Sequence, residues 1–62
     1  MRVLIMFDDG HDYGEFEYFS DFTSLTDENF EKVEEEAYYK LRKAFGYRRG
    51  RKITRIYNLD EE

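Results

Sequence analysis

The 62-residue chain contains no cysteine and only one histidine. Without cysteine, neither a disulfide nor a thiolate zinc site can stabilise it. A catalytic dyad would need Asp12 or Ser20 beside His11, and the sequence has no nucleophile elbow, glycine-rich phosphate loop or second base to complete one. We therefore expect a protein that is not an enzyme, with no cofactor and no metal ion.

Long apolar runs are absent too. The apolar run near the N-terminus, residues 3–7, lasts five residues before it meets two aspartates. A signal peptide needs about 7 to 15 apolar residues and a transmembrane helix about 20. The six Phe and six Tyr residues argue against disorder. We expect one small soluble domain, residues 1–62, in the cytoplasm. Its core is modest, because so short a chain buries roughly 60% of its unfolded surface.

The hydrophobic pattern predicts an α+β fold of order ββαβ. Residues 2–7 place apolar side chains on both faces, which is typical of a strand in the middle of a sheet. A turn-rich stretch, residues 8–14, leads to a second strand that starts at Glu15 and whose alternation breaks after Tyr18, at a bulge or a strand end. Residues 52–59, rich in β-branched and aromatic side chains, form the last strand. Because that strand can pair antiparallel with the first, the predicted three-stranded sheet has the order 2-1-3.

One amphipathic helix is predicted over residues 27–45. Thr26 is a suitable N-cap, and Gly46 can close the C-terminal end. Helical periodicity gathers most of its apolar side chains into one arc that faces the sheet. That arc comprises Phe30, Val33, Ala37, Leu41 and Ala44. The aromatic residues predicted in the core are Phe7, Phe16, Phe30, Phe45 and Tyr57.

A single helix covers only one face of the sheet, so the other face is expected to stay uncovered. An exposed apolar face on so small a protein implies a homodimer, a partner or loops folded across it. The side chains predicted on that face are Leu4, Met6, Ile56 and some of Tyr13, Phe19 and Phe22.

Charge is sorted along the chain. Residues 1–36 carry twelve carboxylates against two basic residues. Residues 37–59 carry eight basic residues and no acid, and three acids then close the chain at a net charge of −5. Acids in the first turn and bases in the last turn of the predicted helix favour its dipole, so part of the sorting has a local cause. The remaining charge separation produces an electrostatic field that affects the choice of binding partners rather than the fold.

The acidic half predicts a partner-binding surface that resembles a polyanion. Six acids lie in residues 27–36, about 15 Å of helix or one charge per roughly 2.5 Å, against one per roughly 1.7 Å in duplex DNA. Acids of the strand and the loops are expected to extend the row. A solvated face that serves solubility is the alternative. The predicted acidic surface contains Asp8, Asp9, Asp12, Glu15, Glu17, Asp21, Glu28, Glu31 and Glu35.

A second interface is predicted around the basic connection, residues 47–52, and on the helix side opposite the core. Basic residues beside an aromatic residue in a loop are typical of segments that hold phosphates and stack bases. A sequence pI of about 4.8 argues against nucleic-acid binding as the main activity. The same bases can instead pair with the protein's own carboxylates, with a second copy or with an acidic partner. The residues predicted for this interface are Tyr39, Arg48, Arg49 and Arg51.

Residues 8–12, Asp-Asp-Gly-His-Asp, offer three carboxylates and an imidazole within five positions. Their spacing matches neither an EF-hand calcium loop nor a zinc pair on one helix face. We therefore expect a hairpin turn whose aspartate side chains accept hydrogen bonds from backbone amides.

The chain resembles the small acidic inhibitors that bacteriophages and mobile elements encode against host machinery, including anti-CRISPR proteins and other DNA mimics. The resemblance rests on size, on the carboxylates between Asp8 and Glu36, and on the lack of catalytic residues. These inhibitors share no motif, and the basic residues between Lys40 and Arg55 depart from an all-acidic mimic. The resemblance implies a non-catalytic protein in the cytoplasm of a host cell. It would bind the basic nucleic-acid-binding cleft of a protein complex, such as a Cas effector subunit, and block nucleic-acid access.

Two other functions remain open on the sequence alone. A generic protein-interaction module or antitoxin-like regulator would use the uncovered sheet face and Tyr39, and would depend on apolar burial rather than charge. A small nucleic-acid-binding protein would use the basic loop at residues 48–52. Salt distinguishes the first hypothesis from the second, because a complex held by charge weakens steeply as salt rises.

Overall fold

The structure, a computed structural model, describes residues 1–61. Its elements are β1 (Arg2–Asp8), β2 (Tyr13–Phe19), α1 (Phe30–Phe45), β3 (Lys52–Asn58) and a short 3-10 helix (Leu59–Glu61). The predicted α+β fold is confirmed, with three antiparallel strands in the order β2-β1-β3 and one helix. None of the helices in this part of the chain is long and apolar enough to cross a membrane.

The central strand β1 has two apolar faces, as its sequence predicts. Val3, Ile5 and Phe7 are buried beneath α1, on what we call the inner face of the sheet. Leu4 and Met6 point to the opposite side, the outer face, and are only partly buried. The alternation arises because successive side chains of a strand point to opposite faces.

A β-bulge in β3 overturns one sequence prediction. Met6 pairs with Arg55 while the next residue, Phe7, pairs with Ile53, so Thr54 is an extra residue in β3. The Thr54 hydroxyl donates a hydrogen bond to the Met6 carbonyl at 3.2 Å. Since the bulge resets the alternation, Ile53 and Ile56 both pack against the core. The prediction that Ile56 lies on the uncovered face was therefore wrong.

The second strand ends rather than bulges. β2 stops at Phe19, which is exposed on the outer face together with Tyr13. Phe22 lies in the loop after β2, where its carbonyl accepts a hydrogen bond from the N-terminal ammonium group at 2.8 Å. Of the two alternatives that the broken alternation left, the strand end is the one observed.

The helix begins three residues later than predicted. The Thr26 amide donates to Asn29 Oδ1 at 2.9 Å, and the Asn29 amide donates to Thr26 Oγ1 at 3.2 Å, so this pair closes a turn before the helix. The first helical bond runs from the Val33 amide to the Asn29 carbonyl at 2.9 Å, and Asn29 rather than Thr26 is the N-cap. The predicted end at Phe45 is confirmed: the Gly46 amide, at a φ of 80°, donates to the Arg42 carbonyl at 2.8 Å.

The core is smaller than the apolar pattern predicts. Val33, Ala37 and Leu41 of α1 are fully buried, and Phe7 and Phe16 join the core as expected. The predicted core residues Phe30, Phe45 and Tyr57 are instead 41%, 56% and 41% exposed, and Ala44 is exposed as well. Phe30 and Phe45 are the first and last residues of α1, beyond its buried layer, and Tyr57 pairs with Leu4 on the outer face. The Phe45 ring still packs against Phe16 and Phe7, with centroids 5.5 and 5.9 Å apart.

Candidate protein-binding surfaces

The predicted acidic row is divided between opposite sides of the molecule. Glu15 and Glu17 pair with Met6 and Leu4, which places both carboxylates on the outer face. The exposed acids of α1 point away from the sheet on the other side, because α1 packs on the inner face. One partner surface therefore cannot contact both groups at once. The alternation of Glu15 and Glu17 with apolar Phe16 and Tyr18 already contained this information.

The helix surface, which we define as Glu28, Glu31, Glu35 and Tyr39, is exposed. Glu31 and Glu35 lie one turn apart on α1, whereas Glu28 precedes the helix, contrary to the prediction. Among residues 1–61 the salt bridges involve only the acids Asp9 and Glu17, so the three glutamates of the helix surface have no ion-pair partner there. The helix surface is therefore an unpaired acidic patch.

Tyr39 lies on the side of α1 opposite the core, as helical periodicity predicts. Its side chain is exposed, and the Lys43 ammonium lies 5.4 Å from its ring centroid. Arg42 and Lys43 make the last turn of the helix basic, in contrast to the acidic first half. The exposed side of α1 thus changes from acidic to basic along its length, with Tyr39 near the boundary.

Asp9 and Arg51 form an internal ion pair rather than an open surface. Arg51 Nε donates to Asp9 Oδ1 at 2.9 Å, and its Nη1 donates to the Gly46 carbonyl at 3.0 Å. The Arg51 side chain is only 7% exposed, and its guanidinium lies 5.8 Å from the Phe7 ring centroid. Arg48 adds a longer contact of 4.0 Å to Asp9 Oδ2. These contacts tie the basic connection to the β1–β2 hairpin, so Asp9 and Arg51 serve the fold.

Of the three aspartates at the hairpin tip, only Asp8 accepts a hydrogen bond from a backbone amide of residues 1–61 with its side chain, as the sequence predicts. Asp8 Oδ1 accepts a hydrogen bond from the Gly10 amide at 2.7 Å, and the Asp9 amide donates to the Asp12 carbonyl at 3.0 Å. Asp12 and His11 are exposed at the tip. Within residues 1–61, no group of three or more His, Asp or Glu side chains is placed to hold a metal ion.

Glu36 has a structural role that the sequence pattern did not indicate. It accepts hydrogen bonds from the Ser20 hydroxyl at 2.5 Å and from the Asp21 amide at 3.3 Å, which fastens the loop after β2 to α1. Burial, and after it the Glu36 carboxylate, raises the pKa of Tyr18. The Asp21 side chain itself is exposed. The link joins residues distant in the chain, and no local spacing signals it.

The outer face carries exposed aromatic residues beside charged ones. The Tyr13 hydroxyl donates to Thr54 Oγ1 at 3.4 Å, so its ring lies across β1 from β2 to β3. Phe19 is 78% exposed at the opposite end of β2. The Arg2 guanidinium and the Glu17 carboxylate lie 3.2 Å apart, both about half exposed. Such an exposed pair contributes little to stability.

A shallow cleft of about 430 Å³ lies between the hairpin and the basic connection. Phe7 and the Asp9–Arg51 pair line it, together with Tyr13 and Tyr47. Because Arg51 neutralises Asp9, the cleft has no strong charge of one sign. Arg49, the remaining residue of the predicted second interface, is exposed in the turn before Gly50.

No protein-family model, no curated protein and no solved structure matches the chain.

Proposed function

We propose that the protein is a non-catalytic inhibitor of a nucleic-acid-binding protein complex, of the anti-CRISPR or a related anti-defence type. In this proposal the helix surface occupies a basic cleft in place of phosphates and excludes DNA or RNA from it. The observation that supports the proposal is the absence of ion pairs on the helix surface, among residues 1–61, while Arg48 and Arg51 are directed to Asp9. The acidic patch is therefore available to a partner.

The spacing of the acids limits how much phosphate they can replace. Glu31 and Glu35 are about 6 Å apart along the helix axis, whereas the charges of one DNA strand follow at about 3.4 Å. The helix surface is thus sparser than the sequence predicted, because Glu28 lies outside the helix and Glu36 is used internally. We expect it to neutralise two or three basic side chains of a cleft rather than line the whole of it.

The position of the strand acids also restricts which surface a partner can contact. The acids of the outer face, Glu15 and Glu17, point to the opposite side of the sheet from the helix surface. A cleft that accepts α1 leaves them in solvent. The proposal therefore assigns binding to Glu28, Glu31 and Glu35, and it assigns no direct contact to the outer face.

The test is a charge reversal on the helix surface. Immobilised wild-type protein and a variant with Glu28→Lys, Glu31→Lys and Glu35→Lys are each incubated with bacterial lysate. Retained proteins are then eluted with duplex DNA or with salt rising from about 50 to 500 mM. We expect the wild type to retain a nucleic-acid-binding protein that both DNA and salt release, and the variant to retain none. Circular dichroism checks that the variant is folded, as the exposure of all three side chains predicts.

The matched control reverses three exposed acids elsewhere, Asp12→Lys, Glu15→Lys and Glu17→Lys. It changes the net charge by the same amount as the helix variant and leaves the helix surface intact. We expect it to retain the same partner as the wild type. If the partner stays bound to the helix variant, or if duplex DNA does not release it from the wild type, the proposal is wrong.

A further inference from the structure

The outer face of the sheet is uncovered and has the composition of a protein interface. Leu4 and Met6 form its centre on β1, and Tyr13, Phe19 and Tyr57 are exposed around them. Aromatic residues and Met are enriched in protein interfaces. Among residues 1–61 the only helix of more than one turn, α1, packs on the inner face.

The strand register arranges the charges of this face in columns. In the Met6 row, β2 contributes Glu15 and β3 contributes Arg55. In the Leu4 row, β2 contributes Glu17 and β3 contributes Tyr57. In these two central rows the outer face therefore has acids on β2, apolar side chains on β1 and a basic or aromatic side chain on β3.

We propose that the outer face binds a second copy of the same chain, as a two-fold symmetric dimer with its axis parallel to β1. Rotation by 180° about an axis that runs along β1 in the plane of the interface places β2 of one copy over β3 of the other. Glu15 of each copy then faces Arg55 of the other, in the row where Met6 meets Met6. The contact forms twice, because a two-fold interface uses the same patch on both subunits.

The charges of β2 disfavour a two-fold axis perpendicular to the strands. A two-fold axis perpendicular to the strands would place β2 over β2 and bring Glu15, which has no ion-pair partner among residues 1–61, near the carboxylates of the same strand in the second copy, which repel it. Along the favoured axis, like residues meet only on β1. At the charged ends of β1, where Arg2 meets Arg2 and Asp8 meets Asp8, opposite charges lie beside them: Arg2 pairs with Glu17, and Lys52 is opposite Asp8 in the strand register.

The size of the face predicts a weak dimer. Three strands of seven residues present about 14 by 24 Å, so two such faces together have a projected area of about 670 Å², below the roughly 1,000 Å² that a stable specific interface exceeds. We expect a dissociation constant of about 10 to 100 µM. The helix surface stays exposed in this dimer, so dimerisation is independent of the function proposed above.

The experiment is sedimentation equilibrium up to about 1 mM protein, a concentration well above the expected dissociation constant. Glu15→Arg places arginine against Arg55 of the second copy, and Arg55→Glu places glutamate against Glu15. Each single variant is expected to weaken dimerisation at least tenfold, about 1.4 kcal/mol. The double variant E15R/R55E restores opposite charges in both contacts and is expected to return to within about threefold of the wild type.

The control is Glu35→Arg, which makes the same charge change on the helix surface and is expected to dimerise like the wild type. Circular dichroism of all variants verifies folding, which these exposed substitutions should preserve. A wild type that remains monomeric over the whole concentration range overturns the proposal. So does a double variant that dimerises no better than the single ones, or a Glu35→Arg variant as weakened as Glu15→Arg.

Discussion

The inner and outer faces of the central strand are both apolar, yet only one of them is buried. Val3 and Ile5 have no exposed surface beneath α1, whereas Leu4 and Met6, their neighbours in the chain, remain partly exposed. The difference lies in the second layer, because the described chain supplies one long helix for two apolar faces. Stability therefore depends on the inner face, and the outer face is available for association.

The largest expected difference between the two faces is in the loss of stability when a β1 side chain is truncated to alanine. Ile5→Ala is expected to lower the free energy of unfolding by about 2 to 5 kcal/mol, which approaches the total of about 3 to 5 kcal/mol for so small a domain. Leu4→Ala, on the outer face, should cost about 1 kcal/mol or less. Urea denaturation of dilute protein, where the dimer is not populated, measures both. Equal losses would show that the outer face is covered within the monomer.

Two ion pairs of the molecule show the same contrast, since one is nearly buried and the other is exposed. Arg51 is almost buried against the Phe7 ring and pairs with Asp9, whereas the Arg2–Glu17 pair is about half exposed. Asp9→Asn leaves the Arg51 charge without a countercharge and is expected to cost about 1 to 3 kcal/mol. Glu17→Gln should cost no more than about 0.5 kcal/mol.

Thermal or urea unfolding of the two isosteric variants, in low and in high salt, measures this difference. Each variant removes one negative charge and changes no side-chain volume appreciably, so each is the control for the other. If Asp9→Asn lowers the free energy of unfolding no more than Glu17→Gln does, the Asp9–Arg51 pair does not stabilise the fold.

Much of the fold was predictable because it depends on short-range periodicity. Alternation in residues 2–7 gave the central strand, and the 3.6-residue period gave Val33, Ala37 and Leu41 as the buried side of the helix. The bulge at Thr54 was not predictable in this way, since an extra residue in one strand is visible only against its partner strand. Likewise, Thr26 is not the N-cap because it and Asn29 exchange hydrogen bonds in a turn before the helix, which helical periodicity does not reveal.

The candidate surfaces were less predictable than the fold because the sequence gives the sign of a charge but not its partner. The split between the helix surface and the outer face follows from which side of the sheet α1 covers. Asp9 pairs with Arg51, which is 42 positions away in the chain, and no local sequence pattern indicates this tertiary contact. The same holds for Glu36, which binds the loop after β2 instead of joining the acidic patch.

The smallest effect is expected at Tyr18, a buried residue with a polar group on the inner face. Its hydroxyl is buried and has no hydrogen-bond partner within residues 1–61. Tyr18→Phe removes this group and keeps the ring, so at pH 7 we expect a change between zero and a stabilisation of about 1 kcal/mol. A loss of more than about 1 kcal/mol in urea denaturation would show that the hydroxyl is hydrogen-bonded in the folded protein.

Alkaline pH amplifies the effect of that substitution. Burial, and then the Glu36 carboxylate, raises the pKa of Tyr18 in the folded protein, while an unfolded tyrosine ionises near pH 10. Ionisation therefore favours the unfolded state: the contribution of Tyr18 is unchanged below about pH 10 and falls above it by up to about 1.4 kcal/mol per pH unit. Urea denaturation at pH 7 and at about pH 11 should show that the advantage of Tyr18→Phe grows with pH. The other five tyrosines are common to both proteins, so a wild type and a variant that lose stability in parallel would mean that Tyr18 is accessible to solvent.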